Sequence, residues 1–445
     1  MQQTSYKRYL LAVLTIILAF NYVDRVAVGV VLENIKADLS LSDTQLGALS
    51  GIAFALFYSV MGIPIARWAD RGNRITIISL TAAVWSVAVS FCGMATSFVQ
   101  LVLIRIGVGV GEAGCIPPAH SLIADYFTRA ERPRAVALYS QGGSLAMVFG
   151  YFATGWLNEL FGWRATFVIV GVPGIVLAAL ARSSLKEPRL INASLAHPTS
   201  PAAVGPGVAA PEPNLKDVFV VLWANTTFRH LLISFSLSYF FGYGILQWQP
   251  TFFIRSHGLT TGEVGTWFAV IYGLAGALGM YLGGEWASRY AAHNERLQLN
   301  ACALTSACCA VLTAASLLVS NHYRAFALLG LANLLGYMSQ GPVFATIQTL
   351  VAPRMRATSI ALIYLFANFI GMGLGPLAAG VLSDALRPWL AEESLRYVLV
   401  LLSPGYAWAA WHVWRAGHTV ARDVMGSQVD DHSRGAGRNE IAVAK

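Results

Sequence analysis

Charge is scarce in this sequence. Only 12% of its 445 residues are Asp, Glu, Lys or Arg, against ~25% in ordinary soluble domains. With 56% hydrophobic residues and a mean hydropathy of +0.58, that scarcity excludes a soluble domain and points to a polytopic membrane protein. Cysteine is scarce as well. Cys92, Cys115, Cys302, Cys308 and Cys309 all lie in apolar stretches without metal-ligand spacing, and an odd buried set argues against a disulfide framework. No P-loop, nucleophile elbow or catalytic triad is present, so no enzyme chemistry, cofactor or metal is expected. Gly109-Val-Gly-Glu-Ala-Gly114 imitates G-x-G-x-x-G, but its flanks are too long and apolar for a βαβ unit, and Pro117-Pro118 follow. Gly107, Gly109, Gly111 and Gly114 read instead as points where membrane helices approach closely.

What the chain does contain is a succession of apolar runs. At about 20 residues per crossing, twelve helices are expected, near 8–32, 44–69, 75–97, 99–127, 132–158, 163–183, 229–254, 261–288, 297–320, 323–350, 356–386 and 394–417. Lys7-Arg8 before Leu10–Phe20 resembles a signal peptide, but no small-residue cleavage site follows, so the first span is expected to stay. The only long polar break gives the domain plan: a six-helix bundle over 1–183, a linker over 184–228, a second bundle over 229–420, and a disordered tail over 421–445. The linker's Pro/Ala/Gly-rich middle reads as flexible, and its end, LKDVFVVLW, as a short amphipathic helix. Placing both termini in the cytoplasm puts 22 of the 30 Lys and Arg on inner segments, as the positive-inside rule requires of an inner-membrane protein. The basic balance is then topology and lipid-surface charge, and no nucleic-acid partner is expected.

The halves also echo each other. Gly150-Tyr-Phe-Ala-Thr-Gly155-Trp-Leu-Asn-Glu159 and Gly375-Pro-Leu-Ala-Ala-Gly380-Val-Leu-Ser-Asp384 match in both glycines and carry a carboxylate at the same offset. Pro118 and Pro342 hold comparable places. An internal duplication of six helices is expected.

Four charges fall inside the apolar spans: Asp24 and Arg25 in the first, Arg105 and Glu112 in the fourth. A charge at a membrane helix centre costs ~2.5–3.5 kcal/mol even on a lenient scale, so partners on neighbouring helices are required. Arg105 and Glu112 stand seven residues apart on nearly one face, too far for an easy pair, which makes Asp24 and Arg25 the best candidate partners. Asp24 and Glu112 are the candidate proton-coupling groups, since an arginine that changes partner changes a carboxylate's proton affinity. A static ion-pair lock between the first and fourth spans is the competing reading. Arg25 and Arg105 are candidate anchors for a carboxylate or phosphate. His120, Tyr243, Gln247 and Tyr364 complete the candidate binding set; His120 also reads as a packing residue, and Tyr243 and Gln247 as interfacial residues.

Ala66-Arg-Trp-Ala-Asp70-Arg71-Gly72-Asn73-Arg74 resembles the signature G-x-x-x-D-R-x-G-R of the major facilitator superfamily, with Ala for the first glycine and the interior glycine one place early. Asn21-Tyr-Val-Asp24-Arg25, the Arg105–Glu112 spacing and the Arg71-Gly-Asn-Arg74 ending are most similar to the Spinster branch. The resemblance spans almost the whole chain. It implies an all-α fold of twelve transmembrane helices in two pseudo-symmetric bundles, working as a secondary transporter by alternating access. Asp70, Arg71 and Arg74 would form the cytoplasmic gate, with a plain positive-inside cluster as the competing reading. The expected substrate is an organic anion or a lysolipid-like amphiphile, coupled to protons, with membrane lipid as surroundings and a monomer as the working unit. An uncoupled uniporter or a drug-type exporter of the same fold is the alternative, with an integral-membrane lipid enzyme as the reading from another class.

Overall fold

A computed structural model describes residues 2–128, 131–189, 215–292, 294–351 and 356–443. The chain runs α1 Gln2–Leu39, α2 Asp43–Ser50, α3 Ile52–Arg71, α4 Arg74–Cys92, α5 Phe98–Glu112, α6 Ile116–Tyr126, α7 Arg132–Leu145, α8 Tyr151–Ser184, α9 Leu215–Ala224 and α10 Thr226–His257. It continues as α11 Thr261–Phe268, α12 Gly276–Tyr290, α13 Glu295–Leu318, α14 His322–Met338, α15 Gln340–Thr349, α16 Arg356–Phe366, α17 Gly375–Leu390, α18 Ser394–Leu402 and α19 Gly405–Val443. Short π-helical turns at Ala146–Gly150, Ala269–Ala275 and Ala367–Leu374 join α7 to α8, α11 to α12 and α16 to α17.

Nine continuous stretches of the described residues are long and apolar enough to cross a bilayer. Arg134–Ser184 is two spans joined at Gly162, whose φ of 77° only glycine adopts freely. Leu362–Val424 is likewise two, divided at Ala391–Glu393. Together with α14–α15, interrupted at Ser339, the described residues hold twelve candidate spans. Lipid requires every backbone donor to be satisfied within its own segment, and helices alone do this for an unclosed chain. α9 is a short helix just before α10. α19 runs on past residue 421 to Val443. A helix already nucleated gains one backbone hydrogen bond per added residue.

The helices pack as two compact units. One comprises Met1–Ala202, Tyr243–Leu274 and Met372–Leu399, and the other Ala203–Gly242, Ala275–Gly371 and Val400–Lys445. The second is centred on Phe228, Leu231, Phe235, Leu299, Ile347, Ile363 and Val413. In the first, Trp85 of α4 is fully buried against α5 and α8. A Cβ on Gly111 would stand 2.7 Å from the Trp85 backbone nitrogen, and one on Gly109 2.7 Å from the Phe54 carbonyl. At Gly107 the nearest atom would be 3.8 Å away. Gly111→Ala is therefore expected to lower stability in detergent by about 1–3 kcal/mol, while Gly107→Ala leaves the thermal midpoint within a degree or two of the parent. Equal midpoints for the two variants would refute this packing.

Candidate functional site

Two buried ion pairs cross between α1 and α5. Arg25 Nε donates to Glu112 Oε2 at 2.8 Å, and Arg105 Nη1 donates to Asp24 Oδ2 at 2.6 Å. Adjacent residues of a helix point ~100° apart, so Asp24 and Arg25 each reach a different turn of α5 rather than each other. The partners inferred for Arg105 and Glu112 are the ones found. Asp24 and Glu112 are wholly inaccessible, Arg105 nearly so, and the Arg25 side chain keeps 15% exposure.

The Arg25 guanidinium is walled by rings, 4.7 Å from Tyr22, 4.9 Å from Phe54 and 4.6 Å from Tyr58. Phe54 also lies 5.2 Å from Arg105, so one ring serves both cations. Ring faces attract a guanidinium most strongly where water is excluded. The cluster is not saturated. Asp24 Oδ1, Glu112 Oε1, Arg105 Nε and both amide atoms of Asn21, one turn before Arg25, are buried without a hydrogen-bond partner among the described residues. Each is free capacity in a place where unmet capacity is costly.

Tyr243 of α10 lies close enough to Arg25 to act on it electrostatically. Gln247, one turn on, packs against α1, where a Cβ on Gly29 would meet its Nε2 at 3.0 Å. The structure thus brings Tyr243 and Gln247 to the helix that carries Asp24 and Arg25. His120 stands two turns beyond Glu112, exposed, with its ring edge-on to Tyr139 at 5.3 Å, outside the four-charge cluster. Tyr364 belongs to the second unit, in an aromatic group with Phe344 and Tyr239.

The three residues of the signature loop have different fates. Asp70 and Arg71 are exposed. Arg74 is fully buried at the start of α4. Its backbone N–H donates to Glu187 Oε2 at 2.8 Å, its Nε to Oε1 at 3.2 Å, and its Nη1 pairs with Asp125 at 2.7 Å and Ser121 Oγ at 2.9 Å. Glu187, just past α8, went unnoticed in the sequence because it sits at the start of the polar linker. Burial pushes its carboxyl up, but the Arg74 side chain and backbone N–H outweigh burial and hold it below the ordinary glutamate value. A depressed carboxylate stabilises the fold above its ordinary pKa, and that contribution is lost as pH falls through the folded value. Glu187→Gln is expected to lower the thermal midpoint at pH 7, with the gap to the parent closing as the medium is acidified. A gap constant with pH would show that the carboxylate is not what holds Arg74.

A second set was missed at the opposite end of α3, past the start of α2. Arg255 donates from Nε to Glu33 at 2.8 Å and from Nη2 to Asp43 Oδ1 at 2.8 Å, while Lys36 Nζ reaches the same oxygen at 2.5 Å. Ser383 Oγ donates to Asp43 Oδ2 at 2.7 Å. Nothing in the sequence around Lys36 or Arg255 marks either as a partner of Asp43. Their pairing joins segments far apart in sequence, which spacing alone does not reveal.

Comparison with known proteins adds a consistent picture. The family model described as Major Facilitator Superfamily matches residues 14–376. An MFS-type efflux pump of Mycolicibacterium smegmatis is 32% identical over 416 residues, 93% of each chain. A probable L-galactonate transporter of Escherichia coli is 26% identical over 400 residues, 86% of this chain and 87% of its own. A solved bacterial homologue of the human lysosomal transporter Spinster, inward-facing and unoccupied, matches at TM-score 0.82 and 30% identity over 94% of this chain and 98% of that one.

Proposed function

The chain belongs to the Major Facilitator Superfamily, in its Spinster-like branch, and on that premise we propose that it carries an organic anion or a lysolipid-like amphiphile across the inner membrane, coupled to protons, by alternating access. Membership makes it a multi-pass secondary transporter of small molecules and not an enzyme. The observation that carries the finer reading is the pair of crossed buried ion bridges with unused oxygens.

Charge balance links the two loads. The Arg25–Glu112 pair is neutral as it stands. A proton on Glu112, whose Oε1 has no partner among the described residues, leaves Arg25 with a net positive charge in a dry place. An anionic head group at that guanidinium restores neutrality, so proton and anion favour each other's binding. The ring wall of Tyr22, Phe54 and Tyr58 holds Arg25 in position when Glu112 lets go, and offers apolar surface to an amphiphile. Arg105–Asp24 gives a second pair of the same kind. Tyr243 and Gln247 extend the binding set, and His120 and Tyr364 are its outlying members.

The basic Arg67–Arg74 end is proposed to face the cytoplasm together with both termini, with Asp70 and Arg71 as the gate there and Arg74 as its buried anchor. The Glu33–Lys36–Asp43–Arg255 cluster is proposed to hold the other end shut. The protein is proposed to work as a monomer. A second reading, a drug-type exporter of the same fold, draws on the similarity to the MFS-type efflux pump of M. smegmatis. Proteoliposomes carrying an imposed pH gradient, screened with sugar acids and other organic acids, lysophospholipids and sphingoid phosphates, test the proposal. Gradient-dependent accumulation of an anionic member is expected. Counterflow indifferent to the gradient would leave an uncoupled carrier.

A further inference from the structure

The repeated Gly-x₄-Gly-x₃-carboxylate segments end at Glu159 and Asp384, and each carboxylate reaches a different helix start. Asp384 Oδ1 accepts the Asp43 N–H at 3.1 Å and Oδ2 the Thr44 N–H at 2.7 Å. Glu159 Oε2 accepts the Gly262 N–H at 2.8 Å. Asp43, Thr44 and Gly262 lie in the first turns of α2 and α11, and both helices begin with a capping box. Ser42 and Gln45 exchange bonds at the start of α2, as do Thr260 and Glu263 at the start of α11.

A helix start leaves four N–H groups without an internal acceptor. In α2 the box satisfies those of Ser42 and Gln45, and the two between them, on Asp43 and Thr44, are met by Asp384. In α11 the box meets Thr260 and Glu263, and Glu159 meets Gly262. The glycine four residues before each carboxylate makes the approach possible. A Cβ on Gly380 would collide with the Asp43 carbonyl, and one on Gly155 with the Thr261 carbonyl. The same device is therefore built twice, once by each half of the repeat, on the seams α17–α2 and α8–α11. Both carboxylates also face the positive end of a helix dipole.

We propose that Asp384 and Glu159 are a matched pair of positioning residues, detachable helix caps that hold these two seams together in one conformation and are released in the other. The capping boxes travel with α2 and α11, so each helix start stays intact when the seam opens, and water replaces the departing carboxylate. The two are unequal. Asp384 is half-buried and takes two N–H groups, while Glu159 is exposed and takes one, so Asp384 carries more of the bias. The inference rests on alternating access, and is independent of the proton and substrate assignments above.

The test is a distance distribution by pulsed electron spin resonance on the full-length protein in nanodiscs. Spin labels replace the exposed residues Ala37, at the end of α1 shortly before α2, and Ala385 of α17, so that their separation follows the α17–α2 seam. Asp384→Asn is expected to raise the ratio of long- to short-distance populations about tenfold, the scale of one charged hydrogen bond. Glu159→Gln should raise it by a smaller factor, and the double variant more than either. Thermal midpoints are recorded alongside. A fallen midpoint with an unchanged distribution in Asp384→Asn and Glu159→Gln alike would make both residues merely structural and overturn the proposal. Should the parent protein show a single population under every condition tried, alternating access falls and the inference with it; two parental populations that neither variant shifts defeat the inference alone.

Discussion

Proteoliposomes of Glu112→Gln are expected to lose pH-gradient-driven uptake by about 10–100-fold, the usual span of a coupling free energy, while substrate counterflow persists. Glutamine is close in shape to a protonated glutamic acid, so it leaves Arg25 permanently without an anionic partner. The Arg25 guanidinium stays in its ring cage of Tyr22, Phe54 and Tyr58 and remains able to meet an anion. Exchange of one substrate molecule for another needs no proton to leave, and so continues. Net accumulation needs Glu112 to release its proton and recapture Arg25, and so stops. Retained gradient-driven uptake would assign the Arg25–Glu112 pair to the static lock between α1 and α5.

Arg105→Gln is expected to produce the largest loss of stability of any single exchange in the cluster, roughly 3–5 kcal/mol, because removing one partner of a buried pair strands the other charge. Asp24 has no exposure at all, and its Oδ1 already lacks a partner among the described residues. Adding Asp24→Asn removes the stranded charge. The double variant should therefore regain most of the folded yield that Arg105→Gln loses, yet transport no faster than the single one. This contrast separates the two roles a buried pair can play. Recovery of both folding and gradient-driven transport would mean that the pair serves packing alone. Folding and transport both absent from the double variant would mean that the ion pair itself is indispensable to the fold. The measurements are monodisperse yield and thermal midpoint in detergent, set beside uptake in vesicles.

How much of this the sequence discloses depends on the range of the interaction. The spans are legible because about twenty apolar residues in a row have few other uses. The pairing of Asp24, Arg25, Arg105 and Glu112 is legible because lipid gives a buried charge no partner except another buried charge, and the chain offers few. Gly109 and Gly111 are legible as contact points because a residue without a side chain lets membrane helices approach closely. Glu187 is not, because nothing in a polar linker distinguishes the one carboxylate that folds back onto Arg74. Nor is the Arg255–Asp43–Glu33 cluster, whose members lie in three separate segments and come together only through packing. Glu159 and Asp384 stand between these cases. Their equal offsets were visible as a sign of duplication, but that each caps a helix of the other half follows only from the fold.

The central claim is that protons and an anionic load move together through this carrier. Its most direct test is proton flux itself, read with a pH-sensitive dye trapped in proteoliposomes of the unaltered protein, when an outward- or inward-directed gradient of a transported anion is the only driving force. The account predicts an internal pH change that follows the anion's direction and vanishes in Glu112→Gln. Anion movement in the unaltered protein with no accompanying pH change would contradict it.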